Sequence, residues 1–295
     1  MTDLTNYGEV MALLRRHGFR FSKSLGQNFL TAAWVPERIA ESAGLDSGDG
    51  VLEVGPGVGC LTEQLARRAG KVLALELDER LADVLAETLA DRENVDVVFT
   101  DAVKADLPAL CREHLGERPW KVCANLPYNV TSPLLTAFLT AGCFESITVM
   151  VQKEVAERMC ARPGTGDYGA FSVLVQWYAR GELLFTVPPD CFMPRPKVTS
   201  AVVRLCRRSA PPAPVADEAL FFRTVRAAFG QRRKTLPNAL AAGFPELDRS
   251  AILAAMERAG LAPTLRGETL DIPAFAALSD ALGGQMRSGG RPAGE

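Results

Sequence analysis

Short apolar or β-branched runs alternate with segments of helical spacing along the first two thirds of the chain. Seven such runs predict strands, at 51–54, 72–77, 95–99, 121–124, 147–151, 183–187 and 201–206. Helical spacing or helix-forming composition predicts helices at 61–69, 79–89, 133–140, 153–161 and 171–179. This alternation indicates an α/β, Rossmann-like fold with a mostly parallel seven-stranded sheet covered on both faces. The last two runs lie close together in sequence, which favours an antiparallel pair at the end.

The pattern changes at Ser209–Pro214, where repeated prolines favour extended chain and predict a linker. Helical patterns at 220–229, 251–259 and 273–282 follow it, with no evident strand. We therefore predict four parts: a domain at 1–208 with a basic N-terminal segment, a proline-rich linker at 209–216, a small all-α domain at 217–282, and a disordered tail at 283–295.

Composition narrows the possible classes of protein. No apolar run is long enough to span a bilayer, and the N-terminus lacks a signal-peptide pattern, so we expect a cytoplasmic protein. Seven scattered cysteines without C-x-x-C spacing argue against a disulfide framework and a metal site. With only two histidines, an imidazole-based active site is not expected.

Charge is unevenly placed although the formal net charge is only −2. Residues 10–30 contain four cationic residues and no acid, and residues 204–234 contain eight cationic residues against Asp217 and Glu218. Such segments can gather into a positive face that attracts a phosphate backbone. Ordinary solvated surface explains either segment alone equally well.

A glycine-rich turn follows the first predicted strand, in the sequence Glu53-Val-Gly55-Pro-Gly57-Val-Gly59. Glycine allows positive φ and close approach of a ligand, so Gly55 and Gly57 are candidate cofactor-binding residues. Glu76 ends the next strand, where a carboxylate can bind ribose hydroxyls. Asp101 follows the third strand, where it can meet an adenine amino group. These strand ends predict a nucleotide-type cofactor at the carboxyl edge of the sheet, either S-adenosylmethionine or a dinucleotide.

The fourth strand ends in Asn125-Leu126-Pro127-Tyr128. The N6 lone pair of adenine is delocalised into the ring, and two acceptors aimed at its hydrogens would localise it on nitrogen. The Asn125 side-chain oxygen and the Leu126 carbonyl can be those acceptors, since Pro127 restricts the residue before it to extended geometry. Tyr128 offers a surface on which the base can stack. The tetrapeptide predicts methylation of an amino nitrogen without a general base.

These motifs are similar to known families. The E-x-G-x-G-x-G form resembles class I methyltransferases, and Asn125–Tyr128 resembles their [DNS]-[IPL]-P-[YF] motif. The chain resembles the bacterial KsgA/RsmA family of small-subunit ribosomal RNA adenine N6,N6-dimethyltransferases over roughly residues 10–280. The segments that carry this resemblance are 24–30 (SLGQNFL), 125–133 (NLPYNVTSP), 150–156 (MVQKEVA), 168–174 (YGAFSVL), 191–198 (CFMPRPKV) and 229–236 (FGQRRKTL).

The resemblance implies a substrate, a cofactor and a set of site residues. Four methyl groups would pass from S-adenosylmethionine to two adjacent adenosines near the 3′ end of 16S rRNA, in a late assembly intermediate of the small (30S) subunit. It also implies a monomer. The cofactor contacts it implies are Asn28, Leu30, Gly55, Glu76, Asp101 and Asn125. Phe192 would face Tyr128 across the target base. Pro237 departs from the family, which usually has Arg there, and it is expected to end or kink its helix.

Three other functions are consistent with parts of the sequence. An Erm-type 23S rRNA methyltransferase would share the fold and the tetrapeptide, but lacks the 231–236 motif in this form. A non-catalytic ribosome-assembly factor would be expected to have lost Asn125 or the glycine turn, and neither is lost. The third alternative is a DNA adenine methyltransferase, which an assay with RNA and DNA substrates would distinguish.

Overall fold

The computed structural model describes residues 2–19 and 27–289, which fold into two compact units. The first unit comprises residues up to Ala156 together with Ala179–Arg207. The second comprises Glu157–Tyr178 together with the chain from Arg208 onward. Each unit has its own hydrophobic core.

Among its described residues, the first unit contains nine strands and six complete helices. The strands are β1 Phe29–Leu30, β2 Gly50–Val54, β3 Lys71–Glu76, β4 Val95–Phe99, β5 Trp120–Asn125, β6 Phe144–Gln152, β7 Ala179–Val187, β8 Phe192–Met193 and β9 Ser200–Arg207. The helices are α1 Tyr7–Arg16, α2 Trp34–Ser42, α3 Cys60–Ala66, α4 Ala82–Thr88, α5 Leu107–Leu115 and α6 Thr131–Ala141; α7 Lys153–Cys160 begins here and ends in the second unit.

Seven of these strands form one sheet in the order β4-β3-β2-β5-β6-β9-β7, which confirms the predicted α/β fold and strand count. Neighbours pair in parallel from β4 to β6, whereas β9 pairs antiparallel with both β6 and β7. The predicted antiparallel end is therefore present. After β2 the chain continues to β3 and β4 on one side of the sheet, and after β5 it continues to β6 on the other side. The topological switch point of the sheet therefore lies between β2 and β5.

The central strands are buried, as expected for parallel strands with helices on both faces. Every residue of β2 is buried, and so is almost every residue of β3. Glu53 is the one ionisable residue in β2, and it is only 1% exposed. The short β1–β8 pair forms a separate two-stranded sheet in the same unit, with Leu30 opposite Phe192.

The second unit is all helical among its described residues. Besides the end of α7, it contains α8 Ala170–Tyr178, α9 Glu218–Gly230, α10 Leu236–Gly243, α11 Arg249–Arg258 and α12 Ile272–Gly289. Its core has several fully buried aromatic rings, with Trp177 stacked on Phe221 at 4.2 Å between centroids and Tyr168 edge-on to Phe229 at 5.8 Å.

The boundaries of the two units differ from our prediction of a single domain over 1–208. Residues 157–178 belong to the helical unit, because Tyr168 and Trp177 bury their rings against α9 rather than within the first unit's core. The second unit resumes at Arg208, and the linker at 209–216 stays a prediction. A proline-rich segment marks a break in the chain pattern, but it cannot reveal that an earlier segment joins the same core.

Pro237 does not end or kink a helix, contrary to the expectation from its sequence. It lies in the first turn of α10, where a backbone N–H has no helical partner and the proline ring is tolerated. The sequence-based expectation assumed that a helix already ran through this position. Instead, Thr235 is the N-cap residue and the helix begins at Leu236.

The predicted tail from 283 is helical as far as Gly289, and residues 290–295 lie outside the described part of the chain. The two glycines at 283 and 284 suggested irregular chain, but they lie inside α12. A Cβ atom at Gly283 would lie 2.9 Å from Leu220 Cδ2. Glycine therefore serves close packing of α12 on α9 at this position.

Helices α1, α2, α5 and α10 were not predicted as helices from the sequence. Local capping accounts for two of them. Asn6 accepts from the N–H groups of Gly8 and Glu9 at the start of α1, and Asp106 accepts from Ala109 at the start of α5. Within residues 2–19 and 27–289, no helix combines the length and apolarity needed to cross a bilayer.

The position of Pro237 gives a prediction for stability. Pro237→Ala should change the free energy of unfolding by less than about 1 kcal/mol, because no helical hydrogen bond is restored. Ala241→Pro, inside the same helix, should cost about 3 kcal/mol. Chemical denaturation of both variants measures the difference. Equal losses for the two would contradict the first-turn assignment.

Candidate active site

The glycine-rich turn connects β2 to α3 in the conformation that its sequence predicted. Gly55, Gly57 and Gly59 all have positive φ, at 74°, 62° and 90°. At Gly57 a Cβ atom would lie 2.9 Å from the ring of Phe29. Only glycine lets the Phe29 ring lie directly on this turn, and this contact brings the segment before β1 to the edge of the sheet.

Glu76 ends β3 and is held by backbone donors. Its Oε1 accepts from the N–H groups of Leu77 at 2.8 Å and Asp78 at 2.9 Å, and its Oε2 from Gly57 at 3.4 Å. Burial raises the pKa of this carboxyl, while those donors act in the opposite direction. The backbone thus fixes the carboxylate beside the glycine turn.

Asp101 follows β4 and has its own local partners. Its Oδ1 accepts from the Val103 N–H at 3.0 Å, and its Oδ2 lies 3.2 Å from Lys104 Nζ. Leu77 and Val103, which follow the two acids, are large apolar side chains with exposed fractions of 57% and 39%. Both line the same cavity as the acids, so apolar and carboxylate groups face one space.

That cavity has a volume of about 310 Å³ and lies wholly in the first unit. Of the residues predicted to bind cofactor or to act on the substrate, those lining it are Asn28, Leu30, Gly55, Gly57, Glu76, Asp101, Asn125, Leu126, Pro127 and Tyr128. They come from five separate stretches of chain. The structure therefore brings the cofactor motifs and the tetrapeptide to one site at the switch point of the sheet.

Asn125 is the last residue of β5, paired with Met150 of β6. Its side-chain amide donates through Nδ2 to the Asn28 carbonyl at 3.4 Å. An amide has one donor end and one acceptor end. With the Nδ2 end committed to Asn28, Oδ1 is the end left as an acceptor. This orientation suits a substrate amino group.

The rest of the tetrapeptide is tied to its surroundings. The Leu126 N–H donates to the Met150 carbonyl at 3.1 Å, and the Pro127 carbonyl accepts from Thr131 Oγ1 at 3.0 Å. The Tyr128 hydroxyl bonds to Ser200 Oγ at 2.5 Å, and burial raises its pKa. The tyrosine ring is thereby held at the cavity while its hydroxyl group is satisfied.

Phe192 is placed differently from the other predicted residues. It lies in β8 opposite Leu30, is 4% exposed and packs in the hydrophobic core of the first unit. It is not among the residues that line the cavity. Its link to the site runs through its strand partner Leu30, and a sandwich with Tyr128 stays a prediction.

The sequence did not single out Glu53, although it begins the glycine motif. Its side chain lines the cavity, and its Oε2 is buried without a hydrogen-bond partner among the described residues. Burial raises the pKa of Glu53 to about 8, and the nearby Glu76 contributes to the rise. Glu53 is therefore protonated at neutral pH in the folded protein. Within the described chain, no group of three or more His, Cys, Asp and Glu side chains is arranged to hold a metal.

The cationic segments are only partly described. Arg16 pairs with Glu87, whereas Arg20 and Lys23 lie outside the described residues, as does the start of the 24–30 motif. In the second unit, Arg232 donates to the carbonyls of Gly166 at 2.7 Å and Tyr168 at 3.0 Å. This arginine therefore anchors a loop. Its neighbours at 233 and 234 are exposed.

The chain is similar to known proteins over nearly its whole length. Residues 18–271 match the family model described as ribosomal RNA adenine dimethylase. The chain is 48% identical to a ribosomal RNA small subunit methyltransferase A of Geobacillus thermodenitrificans, covering 95% of this chain and 97% of that protein. A protein of the same name from Streptococcus pneumoniae is 44% identical, over 96% of this chain and 99% of its own length.

Two solved structures share this fold over most of the chain. A dimethyladenosine transferase from Plasmodium falciparum aligns with a TM-score of 0.73 and 25% identity, covering 84% of this chain and 95% of that one. The 23S rRNA methyltransferase ErmE aligns with a TM-score of 0.65 and 31% identity, covering 86% and 99%. Both similarities support a methyltransferase fold for this chain.

The buried carboxyl of Glu53 gives a prediction for pH dependence. The ordinary pKa of a glutamate is 4.5, and in the folded protein the pKa of Glu53 is about 8. Between these two pH values the folded protein keeps a proton on Glu53 that the unfolded chain has lost. Rising pH therefore destabilises the wild type through this group, by up to about 1.4 kcal/mol per pH unit in that window. Glu53→Gln should remove this dependence, so its unfolding free energy relative to wild type should increase with pH.

Thermal unfolding of both proteins between pH 5 and about 9 measures the effect. Glu145→Gln, at an exposed position of β6, serves as the matched control for removal of a carboxyl group. Parallel curves for wild type and Glu53→Gln would contradict the assignment of a buried, protonated Glu53.

Proposed function

Because the chain belongs to the ribosomal RNA adenine dimethylase family, we propose that it dimethylates two adjacent adenosines of 16S rRNA. The methyl groups would come from S-adenosylmethionine and go to N6 near the 3′ end of the rRNA, within the small ribosomal subunit late in its biogenesis. The observation that carries this proposal is the Asn125 amide, whose Oδ1 is left as an acceptor beside the glycine turn.

The chemistry of the cavity supports S-adenosylmethionine as the cofactor. Its lining contains the carboxyl groups of Glu76 and Asp101, whose negative charge suits a ligand with net positive charge. Glu76 would accept from the ribose hydroxyls and Asp101 from the adenine amino group. The exposed side chains of Leu77 and Val103 would cover the adenine faces. When bound, the cofactor supplies an electrophilic methyl group on a sulfonium centre.

Asn125 and Leu126 would act on the nucleophile. Hydrogen bonds from the N6 amino group to Asn125 Oδ1 and the Leu126 carbonyl would favour a tetrahedral nitrogen with a localised lone pair. The substrate nitrogen would gain the N–C bond, and the cofactor would supply the methyl group with a neutral thioether as the leaving group. The methylated nitrogen then loses a proton to water, so the site needs no general base.

The target base must leave its stack to reach the cavity, which costs a few kcal/mol. Stacking on the Tyr128 ring would offset part of that cost, by roughly 1–3 kcal/mol. The Ser200 bond supports this role, because it fixes the ring without occupying its face. Phe192 would complete a sandwich once its side chain leaves the core position beside Leu30.

Small-subunit rRNA is the substrate better supported by the comparisons. Relatives named for the small subunit are 44–48% identical over 95–96% of the chain, against 31% over 86% for the 23S enzyme ErmE. The exposed cations at 233 and 234 would contact rRNA phosphates. A monomeric state and a cytoplasmic location stay predictions of the sequence.

Substrate choice tests this proposal directly. Purified protein with methyl-labelled cofactor should label unmethylated small subunits, and the product should be N6,N6-dimethyladenosine at two adjacent positions. Naked 16S rRNA, 23S rRNA and duplex DNA serve as competing substrates in parallel reactions. Label on 23S rRNA or DNA alone would overturn the choice of substrate, and would leave the amino methylation intact.

The role of Asn125 can be tested separately from RNA binding. Asn125→Ala should lower kcat by about 100- to 1000-fold, the range seen when one group that acts on a transition state is removed. Subunit affinity should stay within about threefold, because phosphate contacts elsewhere supply it. Asn125→Asp, which keeps an acceptor, should be more active than Asn125→Ala. A large loss of subunit binding in Asn125→Ala would contradict the assigned role.

A further inference from the structure

We infer that Asp78 is a positioning residue for methyl transfer: through Gln27 it holds the Asn28 carbonyl, which in turn orients the amide of Asn125. This inference rests on the proposed role of Asn125. Asp78 follows β3, whereas Asn125 is the last residue of β5, and Gln27-Asn28 joins them. The four residues form a chain of contacts from the cofactor-binding turn to the reacting group.

Asp78 is a fixed, ionised acceptor at one end of this chain. Its residue is 6% exposed, and Arg80 holds it through two side-chain bonds, Nε to Oδ1 at 2.7 Å and Nη2 to Oδ2 at 2.6 Å. The Arg80 bonds hold the pKa of Asp78 below its usual value. A bidentate arginine restrains both position and rotation of a carboxylate. Asp78 therefore presents Oδ2 in a defined direction.

Gln27 connects that carboxylate to the segment before β1. Its Nε2 donates to Asp78 Oδ2 at 2.8 Å, and hydrogen bonds to an ionised group are stronger than those between neutral groups. On the other side of Asn28, Phe29 lies on Gly57 and pairs with Met193 of β8. The Asn28 peptide is thus held from both sides, by Gln27 before it and Phe29 after it.

The Asn28 carbonyl then sets which end of the Asn125 amide faces the substrate. It accepts from Asn125 Nδ2 at 3.4 Å. If this carbonyl shifts, the amide can rotate and present its NH₂ group to the substrate amino group, where two donors would meet. Loss of the Asp78–Gln27 bond should therefore slow the chemical step. Measured at saturating cofactor, this loss is separate from any change in cofactor affinity through Asn28, which is itself a predicted cofactor contact.

A purely structural role for Asp78 makes a different prediction. Its backbone N–H donates to Glu76 Oε1 at 2.9 Å, so Asp78 could simply support the turn that carries Glu76. In that case, loss of its side chain would weaken cofactor affinity and leave kcat at saturating cofactor unchanged. The division between kcat and cofactor affinity separates the two roles.

The first test is Gln27→Met, which removes the bond, keeps the side-chain length and leaves the Glu76 turn untouched. We expect kcat on small subunits to fall about tenfold, which corresponds to about 1.4 kcal/mol. The Kd for S-adenosylmethionine is measured by calorimetry in parallel, so that kcat is compared at saturating cofactor. Full kcat with weakened cofactor binding would overturn the inference.

The second test is a double-mutant cycle with Asp78→Ala. If Asp78 acts through Gln27, the double variant should lose about tenfold in kcat, as each single variant does. Independent roles would give a loss of about a hundredfold, and that result would overturn the inference. Should Asp78→Ala fail to fold, Gln27→Met decides alone.

Two further variants make the outcome specific. Asp106→Ala removes the exposed N-cap of α5, away from the cavity, and should cost about 1 kcal/mol of stability with kcat unchanged. Asn125→Ala tests the proposed function itself. An active Asn125→Ala would remove both the proposed role and this inference. If Asn125→Ala is inactive and Gln27→Met keeps full kcat, only the inference about Asp78 fails.

Discussion

The parallel pairing of β2 with β5 is the constraint on which the site depends. Their register runs from Gly50 opposite Trp120 to Leu52 opposite Val122. Because the chain leaves these two strands in opposite directions across the sheet, the connections after them diverge and leave a crevice. The glycine turn continues from β2 and the tetrapeptide from β5. A shift in this register would separate the two halves of the chemistry, whatever residues they contained.

Close approach of Phe29 to Gly57 adds a third stretch of chain to that crevice. The contact needs a position without a Cβ atom, so it depends directly on the glycine motif. It places Asn28 next to Asn125, although 97 residues separate them. The glycine turn therefore has two structural tasks, since it shapes one wall of the cavity and also receives the segment that forms another.

The sequence predicted those features that a local pattern or a strand end determines. The seven-stranded sheet followed from alternating apolar runs, and the meeting of Gly55, Glu76, Asp101 and Asn125 followed from their places at parallel strand ends. Contacts between distant side chains had no such signal. The Gln27–Asp78 bond has no periodicity that could reveal it. Phe192 fits a motif, but its burial depends on β8, a strand of two residues too short to predict.

Errors in the helical region have a common physical origin. Pro237 and Gly283 are residues that usually interrupt helices, yet one lies in a first turn and the other in a tight helix contact. Whether such a residue breaks a helix depends on where the helix starts and what packs against it. Composition alone contains neither fact, whereas the three-dimensional core determines both.

The stacking of Trp177 on Phe221 means that the helical unit is discontinuous in sequence. During synthesis, α8 emerges before β7–β9 are made and before its partner α9 exists. The Trp177 ring of α8 therefore stays exposed, or is covered only transiently, until the chain beyond the linker has been synthesised. The same discontinuity limits modular exchange. A fragment that starts at the proline-rich linker would lack Tyr168 and Trp177, so evolution could not transfer this unit between proteins as one contiguous cassette.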